Sequence, residues 1–340
     1  MEGEIYWNWI VAVDLFGAGL SAGAFFLSAM AYFLGQEKYD KITRIGAYIA
    51  PFPLIIGIIC LIIDLERPHL FWKLLLTVQP NSVMSLGAWL LFIFSLFSFI
   101  HLYLWLPEGY DLPHLFKKIP EPWRRISILR VVGDSSFIKD FRKKNLTVKR
   151  GLIAGFGIPI SIGVGIYTGV LLGALVAKPF WNNPMLPMLF LLSALNTGAA
   201  AICLAGCFLG SRNGMSREEI ETNKFIVHSI DFTLMVFLVI AVALFLFGLY
   251  TSPRSSVEAA SLIMGGEFTF LFWVVFVGIG VILPLSLEVY ELIPHFITQV
   301  ALREHKPWIS GILATSVLLG GFTLRYVVVY AGQMARIITS

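Results

Sequence analysis

Charge is what this sequence has least of: Asp, Glu, Lys and Arg make up 14% of 340 residues, against roughly 25% in soluble domains. With 57% hydrophobic residues, 28 Phe and 9 Trp and a mean hydropathy of +0.81, the chain carries more apolar surface than a water-facing globule of this length can hide. The same shortage of charge excludes a disordered chain, and a net charge of +4 is too modest for a nucleic-acid binder. Cysteine is scarce as well. Cys60, Cys203 and Cys207 are too few for a disulfide scaffold or for the four thiolates of an iron-sulfur cluster, and read better as small apolar residues. Six histidines are present, His69, His101, His114, His228, His295 and His305. Only His101 and His228 touch the ends of apolar runs, so no facing haem-ligand pair is expected. No Walker A segment, dinucleotide glycine fingerprint or HExxH motif occurs. No redox centre or nucleotide site is expected in the chain itself.

What is present is apolar length. Crossing about 30 Å of hydrocarbon at 1.5 Å per residue takes about 20 residues, and eight stretches qualify: 10–34, 45–63, 84–106, 151–176, 185–209, 225–250, 267–289 and 308–330. No alternating strand pattern competes, which predicts an all-α polytopic membrane protein forming one domain over residues 1–340. The first span follows Glu2 and Glu4 rather than a basic region, so it is expected to stay in the chain. Basic residues accumulate in loops that remain cytoplasmic. Nineteen of the 25 fall in the first, third, fifth and seventh loops, eleven of them within the basic loop 107–150. Both termini are therefore expected on the extracytoplasmic side of the cell membrane. The stretch Lys139–Arg150 reads as a topology or anionic-lipid signal rather than a nucleic-acid patch.

Ionisable groups inside spans are expensive and mark candidate sites. Asp14 lies five residues past Trp9, about 7.5 Å into the first span. Asp64 ends the second span and is followed by Leu65, Glu66, Arg67 and Pro68. Tyr167 is about 24 Å along the fourth span, close to the outer side again, and Arg325 reaches similar depth in the eighth. Each has a plain structural reading: an Asp14–Arg325 ion pair, a capped helix end at Asp64 and Arg67, a belt tyrosine at 167. Gly19 and Gly23 stand at the spacing that lets helices pack closely, and Pro51, Pro53, Pro159 and Pro284 interrupt helical hydrogen bonding. Toward the cytoplasmic side, His228 with Asp231 and Glu288 with Glu291 are i, i+3 pairs, each on one helix face. They form either a proton path or a wet interfacial edge.

These residues resemble a known family. Tyr6-Trp7-Asn8-Trp9 with Asp14 and a glycine-rich helix, Asp64-Leu-Glu-Arg67-Pro68, and Ser82 to Trp89 are similar to the NrfD and polysulfide reductase membrane subunits. So are Tyr167-Thr-Gly ahead of Lys178-Pro-Phe-Trp181-Asn182, and Leu324-Arg325-Tyr326 ahead of Ala331-Gly332-Gln333. The resemblance covers nearly the whole chain. It implies a haem-free membrane subunit that binds a quinone, menaquinone or ubiquinone, near the outer face. A ferredoxin-like iron-sulfur subunit exchanges electrons with it, and a catalytic subunit, often a molybdenum or tungsten enzyme, performs the substrate chemistry. By resemblance Asp14 and Tyr167 fall on positions near the quinone; with Asp64 and Arg67 at similar depth they make the expected quinone site, with Trp7, Trp181, Asn182 and Arg325 as supporting candidates. Asp14 stands where polysulfide reductase has a histidine, and Val11 where it has an asparagine, so the hydrogen-bond pattern does not transfer unchanged.

Quinone reduction takes two electrons and two protons, which asks for an apolar slot flanked by proton-exchanging groups. Tyr167 is expected to hydrogen-bond one carbonyl and Asp14 or Asp64 to exchange protons, with Arg67 tuning the nearby carboxylate. A secondary transporter or proton channel working through the intramembrane carboxylates is the main alternative, and a purely structural anchor the third. Whether the chain is itself an enzyme is left open, since substrate chemistry is expected on a partner.

Overall fold

The computed structural model describes residues 7–35, 39–65, 67–107, 145–209, 217–251, 254–298 and 307–335, without side chains at 208–209, 217–228, 291–298 and 307–309. Eight helices in it are long and apolar enough to cross a membrane, and the described residues contain no strand. Of the basic loop, residues 108–144, including Lys117, Arg125, Lys143 and Lys144, lie outside the description.

Helix α1, Trp9–Leu34, starts where Asn8 is extended and accepts a hydrogen bond from the Ile10 N–H at 2.9 Å, supplying one of the acceptors a helix start lacks. The second span is broken into α2, Asp40–Ile49, and α3, Pro51–Asp64. Pro51 and Pro53 have no N–H to offer the Ala47 and Ile49 carbonyls one turn back, and at the break the Ser21 hydroxyl of α1 donates to the Ala50 carbonyl. A short helix α4, Lys73–Leu76, leads to α5, Val83–Trp105. Helix α6, Leu146–Gly173, runs unbroken through Pro159. It starts earlier than its apolar run, so Lys149 and Arg150 are helical rather than part of a loop. Arg150 is held there by the Leu104 carbonyl, at 3.0 and 2.8 Å, with its guanidinium 3.9 Å from the Trp105 ring centre.

The second half comprises α7, Leu186–Leu209; α8, Arg217–Thr251; α9, Arg254–Met264; α10, Phe270–Ile282; α11, Leu283–Thr298; and α12, Pro307–Met334. Two of these depart from the hydropathy reading. Helix α9 is a short amphipathic element ahead of the seventh span, too polar on one face to register as a crossing. Helix α10 is wound as a π-helix, a wider winding that apolar content does not encode. Its Gly280 meets Gly320 of α12 so closely that a Cβ on either would lie 2.6 Å from the other's Cα.

The helices form two packed groups sharing α1. One core is built from α1, α2, α3, α5 and α6 around Phe25, Leu54, Phe94 and Val164; the other from α7 to α12 around Phe190, Phe245, Phe272 and Val328. Helices α1, α7 and α12 are the most deeply buried spans. The peripheral α3 and α8 present Phe52, Ile55, Ile56, Ile59 and Ile63, and Phe237, Ile240, Leu244 and Phe247, outward, as helices facing hydrocarbon do. The start of α1 and the end of α12 lie side by side: the Trp7 N–H donates to Gln333 Oε1 at 2.7 Å and Gln333 Nε2 donates back to the Trp7 carbonyl at 2.8 Å. Both ends of the described chain thus occupy one face, here the terminal face. Lys41, Arg44, Lys149 and Arg150 mark the opposite, basic face.

Candidate functional site

Near the terminal face, three helices bring polar groups together on a floor made by α1. Asp14 of α1 is 8% exposed. Its Oδ1 lies over Gly57 of α3, where an added Cβ would come within 3.1 Å. Asp64, at the end of α3, and Tyr167, on α6, are half-buried, and both are close enough to interact electrostatically with Asp14. Cys60, one turn before Asp64, is also within reach of the Asp14 charge. The Tyr167 ring lies against the backbone of α5 at Gly87, where a Cβ would stand 1.7 Å from Cζ and 1.9 Å from the hydroxyl oxygen. Helices α3 and α6 make little contact with each other, each resting on α1 and α5, and the cluster joins them through Asp14 of α1. Asp14, Asp64 and Tyr167 hydrogen-bond no other described residue. Buried polar groups are normally satisfied, so three neighbouring groups with unspent capacity make a candidate site for a ligand's polar atoms.

Two expected pairings are absent. Arg67 is exposed and forms no ion pair with Asp64; α3 ends at Asp64 and the chain turns away in extended conformation at Leu65. Arg325 does not pair with Asp14 either. Its Nε donates to the Leu15 carbonyl at 3.1 Å, and its Nη1 to Ser193 Oγ at 3.0 Å and to the Gly321 carbonyl at 2.8 Å. The Asp14 side chain points to α3, the other side of α1 from α12.

The supporting aromatics form a clasp above the cluster. Trp181 is 1% exposed, stacks on Trp7 with ring centres 5.4 Å apart, and donates from Nε1 to the Val328 carbonyl at 2.7 Å. It packs on Gly332, where a Cβ would lie 1.8 Å from Nε1. Lys178 Nζ donates to the Gln333 carbonyl at 2.6 Å. Asn182 is exposed; its neighbour Asn183 is the structural residue, donating to the Phe245 carbonyl at 2.9 Å and accepting from the Met185 N–H at 2.9 Å. Lys178, Gln333 and Gly87 lie within the stretches that carry the family resemblance, but sequence reasoning assigns no site-building role to them, to Asn183 or to Gly57.

In the basic half, Asp231 and Glu288 lie close to each other across α8 and α11. Glu288 is 4% exposed, and Cys203 of α7, which neighbours Cys207, lies within electrostatic range of both carboxyls. The side chains of His228 and Glu291 lie outside the described residues. Among the described residues no three His, Cys, Asp or Glu side chains are arranged to hold a metal ion. His101 is fully buried between Phe25 and Trp105, its Nε2 2.9 Å from Ser28 Oγ. An apolar crevice of about 40 Å³ lies in this half too, between Leu27, Met30, Leu34, Ala199 and Ile202, away from the Asp14 cluster.

A family model described as polysulphide reductase, NrfD, matches residues 1–337. The sequence is 33% identical over 334 residues to a polysulfide reductase chain of Wolinella succinogenes, covering 97% of this protein and 95% of the relative. It is 30% identical over 346 residues to the protein NrfD of Escherichia coli, covering 97% and 96%. It is 28% identical over 340 residues to a selenate reductase subunit of Mesobacillus selenatarsenatis, covering 97% and 74%.

The contact between Gly87 and Tyr167 is directly testable. Gly87→Ala forces the ring aside and is expected to cost about 1 to 3 kcal/mol, the usual range for overpacking. Thermal unfolding in detergent should show a lowered midpoint, with part of the loss recovered when Tyr167→Ala is added. Simple additivity of the two changes would contradict this packing.

Proposed function

The chain belongs to the NrfD polysulphide reductase family, and from that membership and the carboxyl–tyrosine cluster we propose that it is the quinone-reactive membrane subunit of a multi-subunit respiratory oxidoreductase. The observation that carries this reading is the convergence of Asp14, Asp64 and Tyr167 with their hydrogen-bonding capacity unspent. A bound menaquinone or ubiquinone supplies two-electron, two-proton chemistry. The site offers what such a ring needs: a floor of small residues at Gly57 and Ala18, apolar flanks, and polar groups of both kinds. The Tyr167 hydroxyl donates a hydrogen bond to a carbonyl oxygen, held in place by its seat on Gly87. Asp14 and Asp64 accept and return protons, Asp14 from the protein side and Asp64 from the end of α3 nearest the surface. Asp14 replaces a neutral donor by an acid that donates only while protonated. Arg67, exposed and with no partner carboxylate among the described residues, has no tuning role in this reading.

Partners follow from the relatives, two of which are named as a chain or subunit of a reductase. A ferredoxin-like iron-sulfur subunit sits on the terminal face above the Trp7–Trp181 clasp, and a catalytic subunit, a molybdenum or tungsten enzyme, lies beyond it. In this reading the terminal face is extracytoplasmic and the membrane is the cell membrane. Family membership favours this redox role over the transporter alternative. Asp14→Asn, Asp64→Asn and Tyr167→Phe, each in the assembled complex, are expected to lower quinone-linked turnover about a hundredfold or more, the low end for loss of a general acid or base. Near wild-type rates in all three would contradict the assignment.

The basic-half acids support a second role. Asp231 and Glu288 are neighbouring buried carboxyls, and two like charges brought together out of water disfavour double ionisation, so the pair is suited to holding a proton within the membrane. Such a store suits a path that takes up protons from the basic face during turnover. In sealed vesicles, Glu288→Gln is expected to lower the number of protons moved per electron while turnover continues. An unchanged ratio leaves the pair a structural one.

A further inference from the structure

Arg325 is the most isolated charge in the described residues. It is 0% exposed, and every acceptor it meets is neutral: the Leu15 and Gly321 carbonyls and the Ser193 hydroxyl. Its Nη2 is buried and bonds to no described residue, lying against Gly19, where a Cβ would come within 2.4 Å. Phe16 and Phe190 flank the guanidinium at 5.6 and 5.5 Å. The helices around it, α1, α7 and α12, carry one acid between them, Asp14, which faces α3; α10 carries none. An arginine stays charged in proteins, and a buried charge without a counter-charge is costly. Crosslinking three helices needs donors but not a net charge, so the charge itself calls for a purpose.

Its place supplies one. On one side Leu15, whose carbonyl it binds, adjoins Asp14. On the other, Cys203, which neighbours the Asp231–Glu288 pair, lies ten residues along α7 from Ser193, about 15 Å at helical rise. Arg325 therefore stands between the two proton-exchanging groups of the molecule. Fixed positive charge in a narrow passage repels protons and other cations.

We infer that Arg325 is an electrostatic seal: its uncompensated charge at the centre of the bundle keeps protons held by the basic-half carboxyls from passing down the membrane potential to the terminal-face cluster. The inference borrows its route from the proposed proton store, but its test needs neither turnover nor quinone, so failure of the seal and failure of the quinone assignment are distinguishable.

The full chain is reconstituted in liposomes containing a pH-sensitive dye, and passive proton entry is followed under an imposed potential. Arg325→Gln is expected to raise proton permeability at least tenfold with potassium permeability unchanged, and Arg325→Lys to stay as tight as wild type. Ser193→Asp neutralises the arginine where it stands and is expected to leak as Arg325→Gln does, which keeps the test available if the latter does not fold. Adding Glu288→Gln to the leaking variant should lower the leak again. Wild-type tightness in both neutralised variants, or a leak passing potassium equally well, would overturn the seal.

Discussion

The whole arrangement depends on α1 being narrow enough to stand in the middle of the bundle. Between Ala12 and Ala31 eleven of its fifteen buried residues are glycine, alanine or serine, and the glycines admit different neighbours. Gly17 admits the Pro53 carbonyl, Gly19 the Arg325 guanidinium, and Gly23 the backbone of Ala194 and Gly198. In hydrocarbon there is little hydrophobic drive to bring helices together, so close backbone approach and interhelical hydrogen bonds carry the association. Ser21 and Ser28 provide two of those bonds, to the Ala50 and Thr43 carbonyls. A larger α1 would separate the two helix groups, and with them Asp14 from Asp64 and Tyr167.

From that placement the chemistry follows. The Asp14 carboxyl is brought to its partners because α3 and α6 both lean on α1 and α5 instead of on each other. The clasp of Trp7, Trp181, Lys178 and Gln333 fixes the ends of α1 and α12 to each other at the same face. Ionisable residues inside a membrane are rare unless they function. Here they fall into three sets: the terminal-face cluster, the isolated Arg325 on the other side of α1, and the carboxyl pair of α8 and α11. Such a division suits a subunit that exchanges electrons and protons at one face while remaining tight across its middle.

Much of this was legible in the sequence, and the reason is physical. Length and hydropathy are one-dimensional quantities, so the eight crossings could be counted directly, and helical rise gave the depths of Asp14, Asp64 and Tyr167. Azimuth was not available in the same way. Equal depth suggested an Asp14–Arg325 ion pair, but Asp14 leaves α1 toward α3 while Arg325 approaches α1 from α12 at Leu15 and Gly19. Sequence neighbourhood suggested that Arg67 serves Asp64, whereas the end of α3 sends them apart. The i, i+3 spacing tied Asp231 to His228 and Glu288 to Glu291, while the described contact joins Asp231 to Glu288 across two helices. The break at Ala50 was signalled by Pro51 and Pro53; Pro159, equally conspicuous, leaves α6 continuous. The π winding of α10 had no signal in hydropathy at all.

The central claim is that a quinone ring binds between α3 and α6 against Asp14 and Tyr167. A photoreactive quinone analogue, irradiated with the purified complex and mapped by mass spectrometry, tests it most directly. Labelling should fall on the segments around Asp14, Cys60 and Tyr167 and be displaced by excess unlabelled quinone. Displaceable labelling confined to the second helix group, with those three segments unmodified in a complex that still turns over, would contradict it.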